Sequence, residues 1–415
     1  MTKWQEVKLG DICLFIDYRG KTPHKIKSGI PLITAKIVKN GRIYDPTEFI
    51  SEEEYQSRMT RGIPNCGDIL ITTEAPLGEV AELKDEHVAI GQRLITMRGY
   101  KDILQNKYLK YYLQSKEGQS KLKARETGTT VTGIKSAELK QVLIPLPPLE
   151  TQKKIASVSG VLDDKIELNN RINNNLEQQA QALFKSWFID FEPFGGKMPE
   201  DWKTCKLGEC TKDVIRGFTS KYVEKSNLIN LNQKVNKGRS LEKQYYKYLD
   251  ESVLVPKEKY AKKGDVLLNS LGQGTLGRLH YWNENCDNVV IDQHITIIRA
   301  DNSNSVSEYL YLLLDSQKYK DYFDTCITGT TGMLMLNISA VRNTDVMLPN
   351  IVIQREFAQI VNTLYSIIEH NNTENERLSQ LRDTLLPKLM SGEIDVSKVD
   401  ISKEICADKS SFRED

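Results

Sequence analysis

The chain has 415 residues, 39% apolar and 27% charged, with 57 Lys and Arg against 56 Asp and Glu. That length exceeds one ordinary core and calls for two or three domains, while the composition excludes a chain dominated by disorder. A polar opening and no run of about 18 apolar residues argue against a secretory leader and a membrane span, and a net charge of +1 excludes a uniformly basic nucleic-acid binder.

The first 148 residues mix strand-like runs at 30–33, 68–72 and 94–97 with the turn signals Lys39-Asn40-Gly41 and Asn65-Cys66-Gly67, followed by a helical stretch at 107–122. This pattern predicts a compact α+β domain. Its charge is uneven: residues 19–42 hold seven Lys or Arg and no acid. From 149 to 191, Ile155, Val158, Leu162, Ile166, Ile172, Leu176, Ala180, Leu183 and Trp187 recur at gaps of mostly three and four, with Gly160 the only glycine. That spacing predicts one long helix with a single apolar stripe. A second strand-rich region follows, in which residues 216–247 hold eight basic residues against Glu224 and Glu242. Phe357, Ile360, Leu364, Ile367, Leu378, Leu381, Leu385 and Leu389 then mark a second long helix, broken only by Pro387. A 40-residue helix makes a rod of roughly 60 Å, and so narrow a stripe needs a partner, which the other helix supplies as a coiled coil. The Asn-rich middles, Asn169 to Asn175 and His370 to Asn375, either fix register inside that pairing or face water.

The second half restates the first at an offset of about 200 residues. Trp4 with Leu9-Gly10 recurs as Trp202 with Leu207-Gly208, Gly67-Asp68 as Gly264-Asp265, Gln92 as Gln293, Thr127-Gly128-Thr129-Thr130 as Thr328-Gly329-Thr330-Thr331, and Leu146-Pro147 with Gln152 as Leu348-Pro349 with Gln354. One structural unit is present twice.

Motifs for catalysis fail on context. Gly272-Gln273-Gly274-Thr275-Leu276-Gly277 fits a dinucleotide-binding pattern, but strand-like residues 278–282 follow it where a helix must open. Gly20-Lys21-Thr22 lacks the first glycine of a P-loop, because position 15 is Phe15. The five His are isolated, and the seven Cys include no C-x-x-C pair, so neither a metal site nor a disulfide framework is proposed and a reduced interior suits the chain. Gln92 and Gln293 sit in apolar runs and are read as structural hydrogen bonders.

The arrangement resembles one family, the specificity subunits of type I restriction-modification systems. The resemblance rests on the repeated Trp-x4-Leu-Gly opening, the Thr-Gly-Thr-Thr segments, the entry Pro145 to Gln152, and the exits Leu183 to Phe188 and Leu385 to Ile394. It implies an α+β fold class in which two similar α/β globular target recognition domains (1–148 and 194–349) are separated by two long antiparallel coiled-coil spacer helices (149–193 and 350–391), with a pseudo-two-fold internal repeat and a tail at 392–415. It also implies a non-catalytic, cytoplasmic protein of a bacterium or archaeon that binds double-stranded DNA at a bipartite, asymmetric target. Two methyltransferase subunits and endonuclease/translocase subunits would assemble on it. No cofactor is expected on this chain; S-adenosylmethionine, ATP and Mg would belong to the partners.

On that reading Lys21, Lys25 and Lys36 in the first domain and Lys221, Lys225 and Lys234 in the second are candidates for phosphate contact, with Thr22, Thr129, Thr130, Thr219, Thr330 and Thr331 for base or backbone contact. The aromatic end of the first helix, Phe184, Trp187 and Phe188, is a candidate partner-docking surface, with packing against a recognition domain as the competing reading. The alternative function is a coiled-coil scaffold or adaptor with two protein-binding heads.

Overall fold

The chain is described by a computed structural model covering residues 4–128, 132–272, 274–329 and 334–399. It divides into two compact units, Met1–Leu168 with Glu374–Asp415, and Asn169–Thr373. Each long helix therefore lends one part to each unit.

In the first unit a four-stranded antiparallel sheet runs in the order Cys13–Asp17, Leu94–Gly99, Ile69–Thr73, Leu77–Glu82. All five residues of the strand Ile69–Thr73 are buried, because the sheet is covered on both faces. Ile69 and Ile71 enter one core with Ile95, Met97 and Tyr108, whereas Leu70 enters another with Ile16, Leu94 and Ile33, as the two-residue period of a strand requires. The second core lies beneath a small sheet in which Ile30–Ile33 pairs with Phe49–Ile50 antiparallel and with Ala89–Ile90 parallel. Glu6–Lys8 pairs with Leu143–Pro145 to close the unit.

The second unit repeats this plan. Its main sheet runs Thr211–Arg216, Ile295–Ala300, Asp265–Asn269, Leu279–Trp282, with Val266 and Leu268 in one core and Leu267 in the other. Ile229–Leu231 pairs parallel with Val289–Ile291, and Lys203–Lys206 with Asp345–Leu348. The sequence repeat is thus a repeat of strand order and of alternation between cores.

The helical stretch expected at 107–122 is two helices, Asn106–Gln114 and Lys116–Lys123. Ser115 takes an extended backbone (φ −65, ψ 157), and its Oγ accepts from the Gly118 amide at 3.1 Å. Gly118 then lies so close to the Tyr112 carbonyl that a Cβ would stand 2.1 Å from its oxygen. Capping chemistry overrides the run of helix-forming residues. Ser316, also extended (φ −68, ψ 152) but without a side-chain cap bond, separates Ser307–Asp315 from Gln317–Thr325.

Both long helices form, over Leu149–Phe188 and Ile351–Met390, 40 residues each. In the first unit Ile155 and Ala156 pack in the core with Leu386, Leu389 and Met390, and Val396 beyond the second helix joins them. In the second unit Ala180, Phe184 and Phe188 pack with Phe357, Val361 and Tyr365. Asn173 is 8% exposed; its amide donates to Asn372 Oδ1 at 2.9 Å and its Oδ1 accepts from Asn371 at 2.8 Å. The Asn-rich middle is divided: Asn169, Asn173 and Asn371 are buried, and Asn174, Asn175 and Asn372 are exposed. No helix among the described residues is long and apolar enough to cross a membrane.

Buried polar anchors recur at equivalent places. Gln152 accepts from the Gln105 amide and donates to the carbonyls of Ile103 and Pro147; Gln354 accepts from the Val306 amide and donates to the carbonyls of Asn304 and Pro349. Arg98 grips Asp68 with two bonds of 2.7 Å, and Arg299 grips Asp265 at 2.7 and 2.8 Å. These retained residues satisfy buried backbone groups or a buried carboxylate, which would otherwise be costly.

Candidate nucleic-acid interface

At one end of each main sheet, four separate segments are tied into one edge by backbone hydrogen bonds. In the first unit the Gly91 amide donates to the Ile33 carbonyl at 2.8 Å, fixing the link after Ala89–Ile90. The Arg93 carbonyl, two residues on, accepts from the Thr73 amide at 2.9 Å, and the Thr73 carbonyl accepts from the Ile134 amide at 2.9 Å. Arg19 completes the edge by donating to the Ile134 carbonyl at 3.1 Å while paired with Asp17 at 2.7 Å.

The second unit builds the same edge on the same backbone plan. The Asp292 amide donates to the Leu231 carbonyl at 3.0 Å, the Ser270 amide to the His294 carbonyl at 2.9 Å, and the Leu336 amide to the Ser270 carbonyl at 2.9 Å. Arg216 donates to the Leu336 carbonyl at 2.5 Å. Arg19 and Arg216, which stood out in the sequence only as members of basic stretches, are clamps on the backbone of Ile134 and Leu336, each a few residues after a Thr-Gly-Thr-Thr segment. Those segments are flanked by paired backbone: Thr127 and Gly133 exchange hydrogen bonds of 2.7 and 2.9 Å, and Ile327–Thr328 pairs with Met335–Leu336. Thr129, Thr130, Thr330 and Thr331 themselves lie outside the described residues.

The remaining candidates divide between this edge and elsewhere. Thr22 is on the edge, its Oγ1 accepting from Gln92 Nε2 at 2.6 Å. Thr219 is on the equivalent edge, 2.7 Å from the Tyr222 hydroxyl, which donates to Asp292 at 3.0 Å. Lys21 is partly committed, donating to the Arg58 carbonyl at 3.3 Å and to Thr60 at 3.1 Å. Lys25 and Lys36 converge instead on Glu48, at 2.8 and 3.6 Å. The bond from Lys25 holds the Glu48 carboxyl below the ordinary range. An acid distant in sequence therefore dilutes a stretch that contains none, although Lys36 remains 81% exposed. Lys221, Lys225 and Lys234 are exposed.

The docking role for Phe184 and Phe188 is corrected. They are 4% and 2% exposed, packed against Tyr309 and Phe357 with ring centroids 4.8–6.1 Å apart. Half-buried Trp187 lies edge-on to Phe194 at 6.4 Å. Aromatic side chains of this size close the core of the second unit, and what is buried there is not available to a partner.

In the glycine-rich segment, residues 274–277 form a turn, crossed by Arg278 donating to the Gly274 carbonyl at 2.8 Å, and it leads into the strand Leu279–Trp282 rather than a helix. Among the described residues no group of three or more His, Cys, Asp or Glu is placed to hold a metal ion. The edge can therefore offer hydroxyls, amides and cations to a polyanion, as the contacts of a duplex backbone require.

A family model for the type I restriction modification DNA specificity domain matches the chain twice, over residues 1–178 and 199–380. The chain is 30% identical to the type I restriction enzyme MjaIX specificity subunit of Methanocaldococcus jannaschii, covering 92% of this chain and 91% of that protein. It is 25% identical to the HindI specificity subunit of Haemophilus influenzae, covering 95% of this chain and all of that protein, a share of 100%. The crystal structure of the type I restriction-modification S subunit from M. genitalium shares its fold, with a TM-score of 0.54 at 18% identity over 93% of this chain and 96% of that one. With the family model spanning most of its length in two copies, the chain belongs to the type I restriction-modification DNA specificity family.

Proposed function

We propose that this chain is the non-catalytic specificity subunit of a type I restriction-modification complex in the cytoplasm of a bacterium or archaeon. It binds double-stranded DNA at a bipartite, asymmetric sequence, with one half read by residues of 1–148 and the other by residues of 194–349. Helices 149–193 and 350–391 pair as an antiparallel coiled coil about a pseudo-two-fold axis, and methyltransferase and endonuclease subunits assemble on this scaffold. The chain itself binds no cofactor; S-adenosylmethionine, ATP and Mg serve those partners.

The observation that carries this reading is the edge built twice on one backbone plan with side chains that differ in part, half-buried Lys21 and exposed Arg93 on one and exposed Tyr222 and half-buried His294 on the other. Equivalent frames meet equivalent backbone geometry on the two antiparallel strands of a duplex, while differing side chains select different half-sites. Lys221, Lys225 and Lys234 add phosphate contacts in the second unit, and Lys21, Lys25 and Lys36 in the first. Thr129, Thr130, Thr330 and Thr331 are further candidates for base or backbone contact. The chain assembled with methyltransferase subunits should bind duplex DNA with an affinity that falls steeply with salt. Deleting its gene should erase one bipartite methylated motif from the cell's DNA. Persistence of every methylated motif after deletion would overturn the proposal.

A further inference from the structure

Among the described residues, several that are retained in both repeats have structural work to do. Leu9 and Leu207 are wholly buried, Asp68 and Asp265 hold their arginines, and Gln152 and Gln354 satisfy buried backbone groups. Gln92 and Gln293 do not fit that account. Gln293 is exposed; Gln92 is half-buried, and its hydrogen bond to Thr22 is an exposed one.

Their backbone setting is the same and is rigid. In each unit the residue before the glutamine donates its amide to the neighbouring parallel strand, at 2.8 Å for Gly91 and 3.0 Å for Asp292. The residue after it accepts from the end of the main sheet, at 2.9 Å for both Arg93 and His294. The glutamine is thus the single residue between two fixed points, on the edge that also carries Ile134 in the first unit and Leu336 in the second. A long polar side chain there projects from a backbone that loses little freedom on binding.

Resting on the proposed DNA-reading function, we infer that Gln92 and Gln293 are equivalent positioning residues whose side-chain amides hydrogen-bond the sugar-phosphate backbone, one in each half-site. A side chain that is identical on both edges contacts what both half-sites share, and the feature shared by any two DNA sequences is the backbone. The amide is neutral, so it releases no counterion and contributes by hydrogen bonding alone.

The test uses the full chain assembled with methyltransferase subunits, a duplex carrying its methylated motif, and a set of duplexes substituted at single base pairs. Gln92→Leu and Gln293→Leu should each weaken every duplex by the same factor, roughly tenfold for a lost hydrogen bond to a charged acceptor. The preference among duplexes, the slope of affinity against salt and the melting temperature should stay unchanged. Gln92→Glu and Gln293→Glu should weaken binding further than the leucine variants, because a carboxylate repels phosphate. Selective loss of discrimination at one base pair would make the glutamine a base reader and overturn the inference. Unchanged affinity, or a fall in melting temperature that accounts for the loss, would overturn it as well. Absence of duplex binding by the wild-type assembly would sink the DNA-reading function itself, a separate result.

Discussion

Replacing Gln354 tests whether the repeat marker is an internal clamp. Its side chain is fully buried and makes three bonds: the Val306 amide to Oε1 at 3.1 Å, and Nε2 to the carbonyls of Asn304 and Pro349 at 3.0 and 2.8 Å. Gln354→Ala removes all three and leaves the buried Val306 amide, the buried Pro349 carbonyl and the part-buried Asn304 carbonyl without this partner. Each orphaned group costs about 1–3 kcal/mol, and a water entering the space vacated would recover part of that, so the loss should be roughly 3–5 kcal/mol. That is a large share of the total stability of a domain. Gln354→Glu keeps the acceptor but turns an oxygen toward two carbonyls. It should be at least as damaging at pH 8, and less so near pH 4, where a protonated carboxyl can donate once. Urea unfolding followed by tryptophan fluorescence suits the measurement, because Trp187, Trp202 and Trp282 report on the second unit and Trp4 on the first. The two units need not unfold together, so the transition of the second must be fitted by itself. A loss below about 1 kcal/mol for Gln354→Ala would refute the reasoning, since the three bonds would then add nothing beyond what solvent supplies.

Phe188→Ala should destabilise the second unit by about 3–5 kcal/mol, the range for deleting a buried aromatic ring, and the same urea titration reads it. Glu177 is 8% exposed, and burial pushes its carboxyl up to about 7, with Arg239 acting in the opposite direction. Its folded value therefore lies above the unfolded one: the stability from the protonated form is fully present below the ordinary carboxylate range and is lost as pH rises toward 7. Glu177→Gln should accordingly raise stability at pH 8 by up to about 3 kcal/mol and leave it little changed near pH 4, as melting temperature against pH will reveal. Glu48→Gln, which frees Lys25 and Lys36, should tighten duplex binding a few-fold at low salt and have little effect at high salt. Lys221→Gln and Lys225→Gln should each lower the slope of log affinity against log salt by about 0.9 if the ammonium meets a phosphate.

The repeat, the two long helices and the division of each half into strands and a helix were legible in the sequence, because apolar periodicity and retained markers are local signals. The strand at 69–73, the long helix at 149–188 and the strand after the glycine-rich turn formed within a few residues of where their patterns placed them, the helix ending at Phe188, short of the expected 193. The break at Ser115 was written locally as well, in a serine three residues before a glycine, but helix-forming neighbours masked it. What no local pattern could supply was the company each side chain keeps. Glu48 reaches Lys25 and Lys36, Arg19 reaches Ile134, and Phe188 meets Tyr309 and Phe357 only because strands and helices far apart in the chain are packed together. Sequence by itself determined which residues are apolar, charged or repeated, since those are properties of the residue and its spacing. Tertiary structure alone decided which lysines keep their charge for a ligand, which aromatics are consumed by the core and which arginines serve as clamps, because electrostatic screening and burial depend on neighbours in space rather than neighbours in the chain.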